Sequence, residues 1–250
     1  MAETKKKAKI NVPNLVRFGT IKNVKLDTKE MIQSGLHLGH RTSRTHPKMG
    51  PYLCGTRNTI HIIDLEKTVT KFREALDFIK QIISEKKILL LVGTKIQAKD
   101  LVRDTAEECG LPYVNERWIG GSLTNFEIIR KRVKYFNELE TKKKQGELEK
   151  YTKKERAKID RELQGLEKRF GGIKNLEILP DAIFVLDMRK DALAIKESRM
   201  KGIRTIGVAD TNVDPNLVDY PIPGSDDAVS SIRYVLTKVK ETIQSVKKVL

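Results

Sequence analysis

The stretch Ile88-Leu89-Leu90-Leu91-Val92-Gly93-Thr94-Lys95 decides the fold: five apolar residues without interruption, then a glycine and a polar turn. A run this short falls far below the ~20 residues of a membrane-spanning helix. Being continuous rather than alternating, it reads as a parallel strand covered on both faces. The pattern recurs on either side. Residues 60–64 precede it, residues 113–115, 182–187 and 204–209 follow, and Tyr220-Pro221 makes a short edge piece. Residues 66–84, 96–109, 191–200 and 226–248 have helical spacing, with Leu65, Val69, Phe72, Leu76 and Ile79 drawing one stripe. Strands alternating with helices predict an α/β domain on a parallel sheet.

Outside that pattern the chain is basic. Its 250 residues hold 49 Lys and Arg against 33 Asp and Glu, a net charge of +16. The excess is segregated: residues 1–48 carry 11 basic and 3 acidic side chains, and residues 126–170 carry 15 and 9. Residues 49–125 and 171–250 are nearly balanced, at 11 against 10 and 12 against 11. Two solvated faces without a partner would normally be balanced by acids, so this segregation predicts a surface that meets a polyanion.

Of the 45 residues from 126 to 170, 24 are charged, too many for a compact core. Phe126, Ile129, Val133, Phe136 and Leu139, then Ile159, Leu163, Leu166 and Phe170, nevertheless keep a three-four spacing, the seam of two zipped helices. Thr124 with Glu127 and Thr152 with Glu155 have the spacing of capping boxes. Gly146 breaks the pattern and Gly171-Gly172 ends it. Residues 123–172 are therefore expected to form an antiparallel coiled-coil hairpin inserted between the third and fourth strands. It would project from the sheet, with a first arm of ~22 residues, or about 33 Å. The globular domain is then 28–122 with 173–250, beginning with a short helix at 28–34 stopped by Gly35. Residues 1–27 read as a flexible basic arm, and residues 37–48 as an ordered loop without regular structure.

An α/β chain must be tested as an enzyme, because such sheets bind ligands at the carboxyl ends of their strands. Those ends carry Asp64, Gly93-Thr94-Lys95, Asn115-Glu116-Arg117-Trp118, Asp187-Met188-Arg189-Lys190 and Asp210-Thr211-Asn212. The dinucleotide fingerprint and the phosphate loop are both missing. A nucleotide- or phosphate-binding enzyme on this sheet is the alternative reading, against a simple ion pair or cap at Lys95. No serine is framed by glycines as a nucleophile. Cys54 and Cys109 form no close pair and read as buried or half-buried apolar residues of a reducing cytosol. His37, His40 and His46 with Cys54 invite a zinc reading but lack the paired spacing of structural sites, so no metal or cofactor is expected. The cationic start is followed by no apolar stretch, and no secretory signal is expected.

What remains is binding. Arg130-Lys131-Arg132-Val133-Lys134 and Lys142-Lys143-Lys144 suit phosphate contacts whose affinity falls with salt. With 6% aromatic residues and no aromatic-bearing strand, the partner reads as structured RNA rather than single strands. A free RNA chaperone is a third reading.

Several ordered motifs carry a resemblance. They are Gly35-Leu36-His37-Leu38-Gly39-His40, Pro47-Lys48-Met49, Gly55-Thr56-Arg57-Asn58 with His61-Ile62-Ile63-Asp64-Leu65, and Val92-Gly93-Thr94-Lys95. Asn115-Glu116-Arg117-Trp118-Ile119-Gly120-Gly121, Leu123-Thr124-Asn125-Phe126, Leu179-Pro180-Asp181-Ala182, Val208-Ala209-Asp210-Thr211-Asn212 and Ile222-Pro223-Gly224-Ser225-Asp226-Asp227-Ala228 continue the series. Together they closely resemble the bacterial form of the second protein of the small ribosomal subunit, the uS2 family. The resemblance implies a flavodoxin-like parallel sheet with an inserted helical hairpin, and a structural, non-enzymatic role in the cytoplasm. The implied partners are small-subunit rRNA and neighbouring ribosomal proteins, with support for subunit assembly and for docking the large protein that captures messenger RNA; no membrane or small-molecule substrate is implied. Arg41, Arg44, Lys48, Arg57, Arg130, Arg132 and Lys134 are the expected rRNA contacts, and Arg117 and Trp118 are expected to pack the hairpin root. His46 stands where the family usually has Asn, and residues 1–27 are longer than in most bacterial members.

Overall fold

The structure, a computed structural model of the chain, describes residues 24–248. Its centre is a five-stranded parallel sheet of β4 (Leu89–Val92), β5 (Tyr113–Val114), β6 (Ala182–Val185), β7 (Arg204–Ala209) and β8 (Tyr220–Pro223), in the order β5-β4-β6-β7-β8. Counted along the sheet's own strands, that order is 2-1-3-4-5, the flavodoxin-like arrangement. The register pairs Leu91 with Tyr113, Leu90 with Ile183, Phe184 with Ile206 and Val208 with Ile222.

Because successive strand side chains point to opposite faces, the apolar runs feed two cores. Leu89, Leu91, Ala182 and Phe184 join one cluster with Phe72 and Ile79 of α2 (Leu65–Ser84), Val102 and Ala106 of α3 (Lys99–Cys109) and Ile232 and Val239 of α7 (Val229–Lys247). Leu90, Val92, Ile183 and Val185 join the other, with Ala194 and Ile195 of α6 (Ala192–Lys201). Each large apolar side chain buried in this way contributes about 1.5–3 kcal/mol; the one buried hydroxyl of β7, that of Thr205, is hydrogen-bonded to Asp219. No helix among the described residues is long and apolar enough to cross a membrane.

The second cluster also takes in Ile129, Val133 and Phe136 of α4 (Phe126–Lys144) and Leu163, Leu166 and Phe170 of α5 (Lys153–Phe170). The charge-rich segment therefore shares a core at its root, against the expectation that it would build none. Helix α5 runs back along α4: the Tyr135 hydroxyl donates to Glu162 (3.2 Å) and Lys143 Nζ lies 2.6 Å from Asp160. Lys174 clamps the root, lying 3.1 Å from Glu140, 3.4 Å from Glu167 and 4.6 Å from the centre of the Phe136 ring. Thr152 and Glu155 form a reciprocal capping box at the start of α5. The Thr124–Glu127 pair does not, because the Thr124 hydroxyl is bonded to Glu197 and α4 begins after Asn125 without a side-chain cap.

Residues 60–64 do not belong to the parallel sheet. Strand β3 (Ile60–Ile63) lies between β1 (Leu38–Arg41) and β2 (Leu53–Arg57) in a separate antiparallel sheet. Asn58 and Thr59, at φ 47° and 65°, make the tight turn that folds β3 back on β2. Residues 37–48 are likewise not simply a loop, since they include β1 and a 3-10 turn at Thr42–Arg44. Strand β1 shows no apolar alternation; its place comes from tertiary contact. The His40 amide donates to the Thr211 hydroxyl (2.9 Å), and Gly39 passes so close that a Cβ would stand 2.3 Å from Thr211 Cγ2. Of the expected flexible arm, residues 1–23 lie outside the described residues. Residues 24–27 are part of the fold: Leu26 is buried in the first core cluster and Asp27 caps α1 (Thr28–Gln33).

Candidate nucleic-acid interface

Strand order reverses between β4 and β6, where a ligand crevice belongs in a sheet of this kind. Side chains of the chain itself occupy it. Lys95 Nζ lies 2.7 Å from Asp226, 2.6 Å from Asp227 and 3.5 Å from Asp187. Burial disfavours its charge, but the hydrogen bonds to Asp226 and Asp227 outweigh that and hold it firmly protonated. Asp226 is 3% exposed, and burial, with the charges of Asp187 and Asp210 beside it, pushes its carboxyl up to about 7. Thr94 donates its amide (3.2 Å) and hydroxyl (2.8 Å) to buried Asp191, and Lys190 Nζ reaches the Thr94 carbonyl at 2.9 Å. At Gly93 a Cβ would stand 2.7 Å from Val102 and 2.9 Å from Leu186, so this glycine serves helix packing. The Gly93-Thr94-Lys95 turn is thus an internal ion network; a phosphate would have to displace three carboxylates from Lys95.

The same network ties the small sheet to the large one. His40 Nδ1 lies 3.2 Å from Asp210, its Nε2 lies 3.4 Å from Asp227, and Asn212 Nδ2 is 3.1 Å from Nε2. The hydrogen bond to Asp210, reinforced by the charges of Asp210, Asp227 and Asp226, raises the imidazole above its ordinary value despite partial burial. Histidine and two carboxylates, with ligand atoms all within 4.8 Å of one another, are also a donor set that suits a divalent cation. This is not the set drawn from spacing. His46 accepts from the Lys48 amide, Cys54 is exposed rather than buried and sits 3.5 Å from the Ile62 carbonyl, and neither they nor His37 belong to a cluster of three metal-binding groups among the described residues. The partners of His40 come from the ends of β7 and β8, a juxtaposition that no local pattern announces.

The basic side chains lie on two elements. Arg41 and Arg57 both pair with Ile60, from opposite sides of β3. Directly opposed residues of an antiparallel sheet share a face, so the two guanidiniums start from one row, roughly 10 Å apart at ~4.8 Å per strand. Arg44 is exposed on the following 3-10 turn. Lys48 is not free: its Nζ lies 2.6 Å from Asp214, whose carboxyl this contact holds below the usual range. On α4, Arg130, Arg132 and Lys134 are all exposed. At ~100° per residue Arg130 and Lys134 share one flank while Arg132 lies about 160° from both. The three do not form one patch. Glu127 stands 3.8 Å from Arg130.

The launch point of α4 is set by a residue that spacing did not single out. Glu197 of α6 is 3% exposed, and its Oε1 accepts from the Gly121 amide (2.8 Å) and Trp118 Nε1 (3.2 Å). Its Oε2 accepts from the amides of Leu123 (2.9 Å) and Thr124 (3.2 Å) and from the Thr124 hydroxyl (3.3 Å). Burial opposes ionisation here, but these donors overcome it and hold the carboxyl below its ordinary value. Of the two residues expected at the hairpin root, Trp118 is buried in the second cluster and Arg117 is exposed. Sequence offered no signal for Glu197, which stands between Lys196 and Ser198-Arg199 and looks like any solvated helical acid.

With this geometry in place, comparison with known proteins gives a consistent result. A family model described as Ribosomal protein S2 matches residues 31–246. The chain is similar to the small ribosomal subunit protein uS2 of Coprothermobacter proteolyticus, 45% identical over 215 residues that cover 86% of this chain and 80% of that protein. It is similar also to the small ribosomal subunit protein uS2 of a Roseiflexus species, 46% identical over 213 residues that cover 85% and 81%.

Proposed function

The chain belongs to the ribosomal protein S2 family, and from that premise we propose that it bridges elements of small-subunit rRNA with two basic surfaces held on one rigid scaffold. It is a structural constituent of the small ribosomal subunit, not an enzyme, and its partners are rRNA and other ribosomal proteins. One surface is the row of Arg41 and Arg57 with Arg44 beside it; the other is the exposed side of α4, with Arg130 and Lys134 on one flank and Arg132 on the other. The observation that carries this reading is the contrast between them and Lys95. The crevice lysine is neutralised by three carboxylates, whereas Arg41, Arg44, Arg57, Arg132 and Lys134 have no ion-pair partner among the described residues. Unpaired cations on strands and helices are positioned for phosphate at little entropic cost. Residues 123–172 act in this reading as an inserted arm, and part of the globular face supports assembly and docking of the messenger-RNA-capturing protein.

The test is incorporation. Changing Arg130, Arg132 and Lys134 together to Ala is expected to lower the occupancy of this protein in purified small subunits, more so as salt is raised. Wild-type occupancy at every salt concentration would remove α4 from the interface.

A further inference from the structure

Helix α6 carries apolar side chains on both faces. Ala194 and Ile195 are buried against the sheet, while Leu193 and Met200 point outward with 46% and 69% of their surface exposed. A helix apolar on both sides is ordinarily covered on both. Leu193, Lys196 and Met200 follow one another at three- and four-residue steps, so they share one outward stripe. Opposite stands Leu217, 38% exposed, in the 3-10 turn Pro215–Leu217. Ala192, Ile195, Lys196, Arg199, Met200 and Leu217 line a groove of about 490 Å³. A second hollow of about 410 Å³ shares Arg199 and Leu217 with it and runs on toward Asp219.

The charge around this groove has one sign. Lys196 and Arg199 are exposed on its rim, and neither has an ion-pair partner among the described residues. The acids of the same region are already committed. Glu197 is turned inward to the 118–124 turn, Asp191 is bonded to Thr94, and Asp219 is bonded to Thr205 and Arg204. A partner therefore brings its own carboxylates and its own apolar side chains.

We propose that this groove docks an acidic segment of a neighbouring protein of the small subunit, with apolar side chains between α6 and Leu217 and carboxylates against Lys196 and Arg199. The proposal rests on the ribosomal reading above and gives it a protein-facing surface. An RNA backbone leaves an apolar hollow unfilled, whereas exposed Met and Arg around an apolar floor are the composition of protein interfaces. Complementary charge at the rim orients the segment and speeds its encounter.

The photo-crosslinker p-benzoylphenylalanine, placed at position 200 or at position 217 of the full-length protein in cells, tests this in intact small subunits. Irradiation and peptide sequencing are expected to give, from both positions, the same protein segment with Asp or Glu beside apolar residues. Changing Lys196 and Arg199 together to Glu should cut that yield roughly fivefold or more. Crosslinks to rRNA alone, to a basic segment, or to nothing in occupied subunits would overturn the proposal and leave the ribosomal reading standing. Absence of the tagged protein from small subunits, with either position substituted, would overturn both.

Discussion

Removing the Glu197 carboxylate should cost more than any other single change outside the sheet strands. In Glu197→Ala, five donors, three of them backbone amides, lose an acceptor that is itself 3% exposed. Each orphaned buried donor costs about 1–3 kcal/mol, but water recovers part of the sum. The net loss should be about 3–5 kcal/mol, as when one partner of a buried charged contact is deleted. At about 2–4 °C per kcal/mol for a chain this size, Tm should fall by roughly 10 °C. Glu197→Gln keeps the shape and one acceptor oxygen but turns an amide NH2 toward two or three of the donors. Its cost should be about 2–3 kcal/mol.

The pH dependence fixes the mechanism. Because the folded state holds Glu197 below its ordinary value, its stabilisation is present above the unfolded carboxyl value of ~4.3 and is lost as pH falls through the lower folded value. Urea unfolding of wild type and Glu197→Gln should therefore show a gap at pH 7 that shrinks below pH ~4. Hydrogen exchange at residues 118–126 should quicken in the variant before the rest of the chain. A Gln variant within about 0.5 kcal/mol of wild type at pH 7, or a gap indifferent to pH, would refute the carboxylate's role.

Three further outcomes follow from the same geometry. Gly39→Ala should destabilise the docking of β1 by about 1–3 kcal/mol, since Thr211 would have to move aside; urea unfolding measures it, and a neutral effect would mean β1 sits farther from Thr211. Asp226, raised to about 7, binds a proton more readily folded than unfolded, so its contribution weakens stability as pH rises from ~4 to about 7. Asp226→Asn should flatten that part of the wild-type profile, and an identical profile would contradict it. In direct binding to small-subunit rRNA, Arg41→Ala and Arg57→Ala should each reduce the slope of log affinity against log salt by about 0.7–0.9. An unchanged slope would take that arginine off the phosphate backbone.

The sheet was legible because both of its faces are buried. A strand such as β4, with Leu89 and Leu91 in one core and Leu90 and Val92 in the other, cannot hide its apolar run. The helices of the first core show the same economy, and the Phe72–Leu76–Ile79 stripe is buried. Strand β3 misled because an apolar run does not say which sheet it joins; the left-handed Asn58-Thr59 turn, which sends it back on β2, lacks the usual Asn-Gly signature. Thr124 misled because the amide and hydroxyl that a capping box with Glu127 needs are both taken by the buried carboxylate of Glu197, 73 residues away. Charge segregation located the basic segments, yet it could not tell Lys48, tied to Asp214, from Arg41 and Arg57. Such pairings are long-range, and spacing along the chain carries no trace of them.

The central claim is stable residence in the small subunit through salt-sensitive contacts, and gradient fractionation of a native lysate with quantitative detection of this chain tests it most directly. The account predicts near-stoichiometric cosedimentation with the small subunit at moderate magnesium and salt, and release at high salt. Sedimentation at the top of the gradient under both conditions, as a free chain or small oligomer, would contradict it.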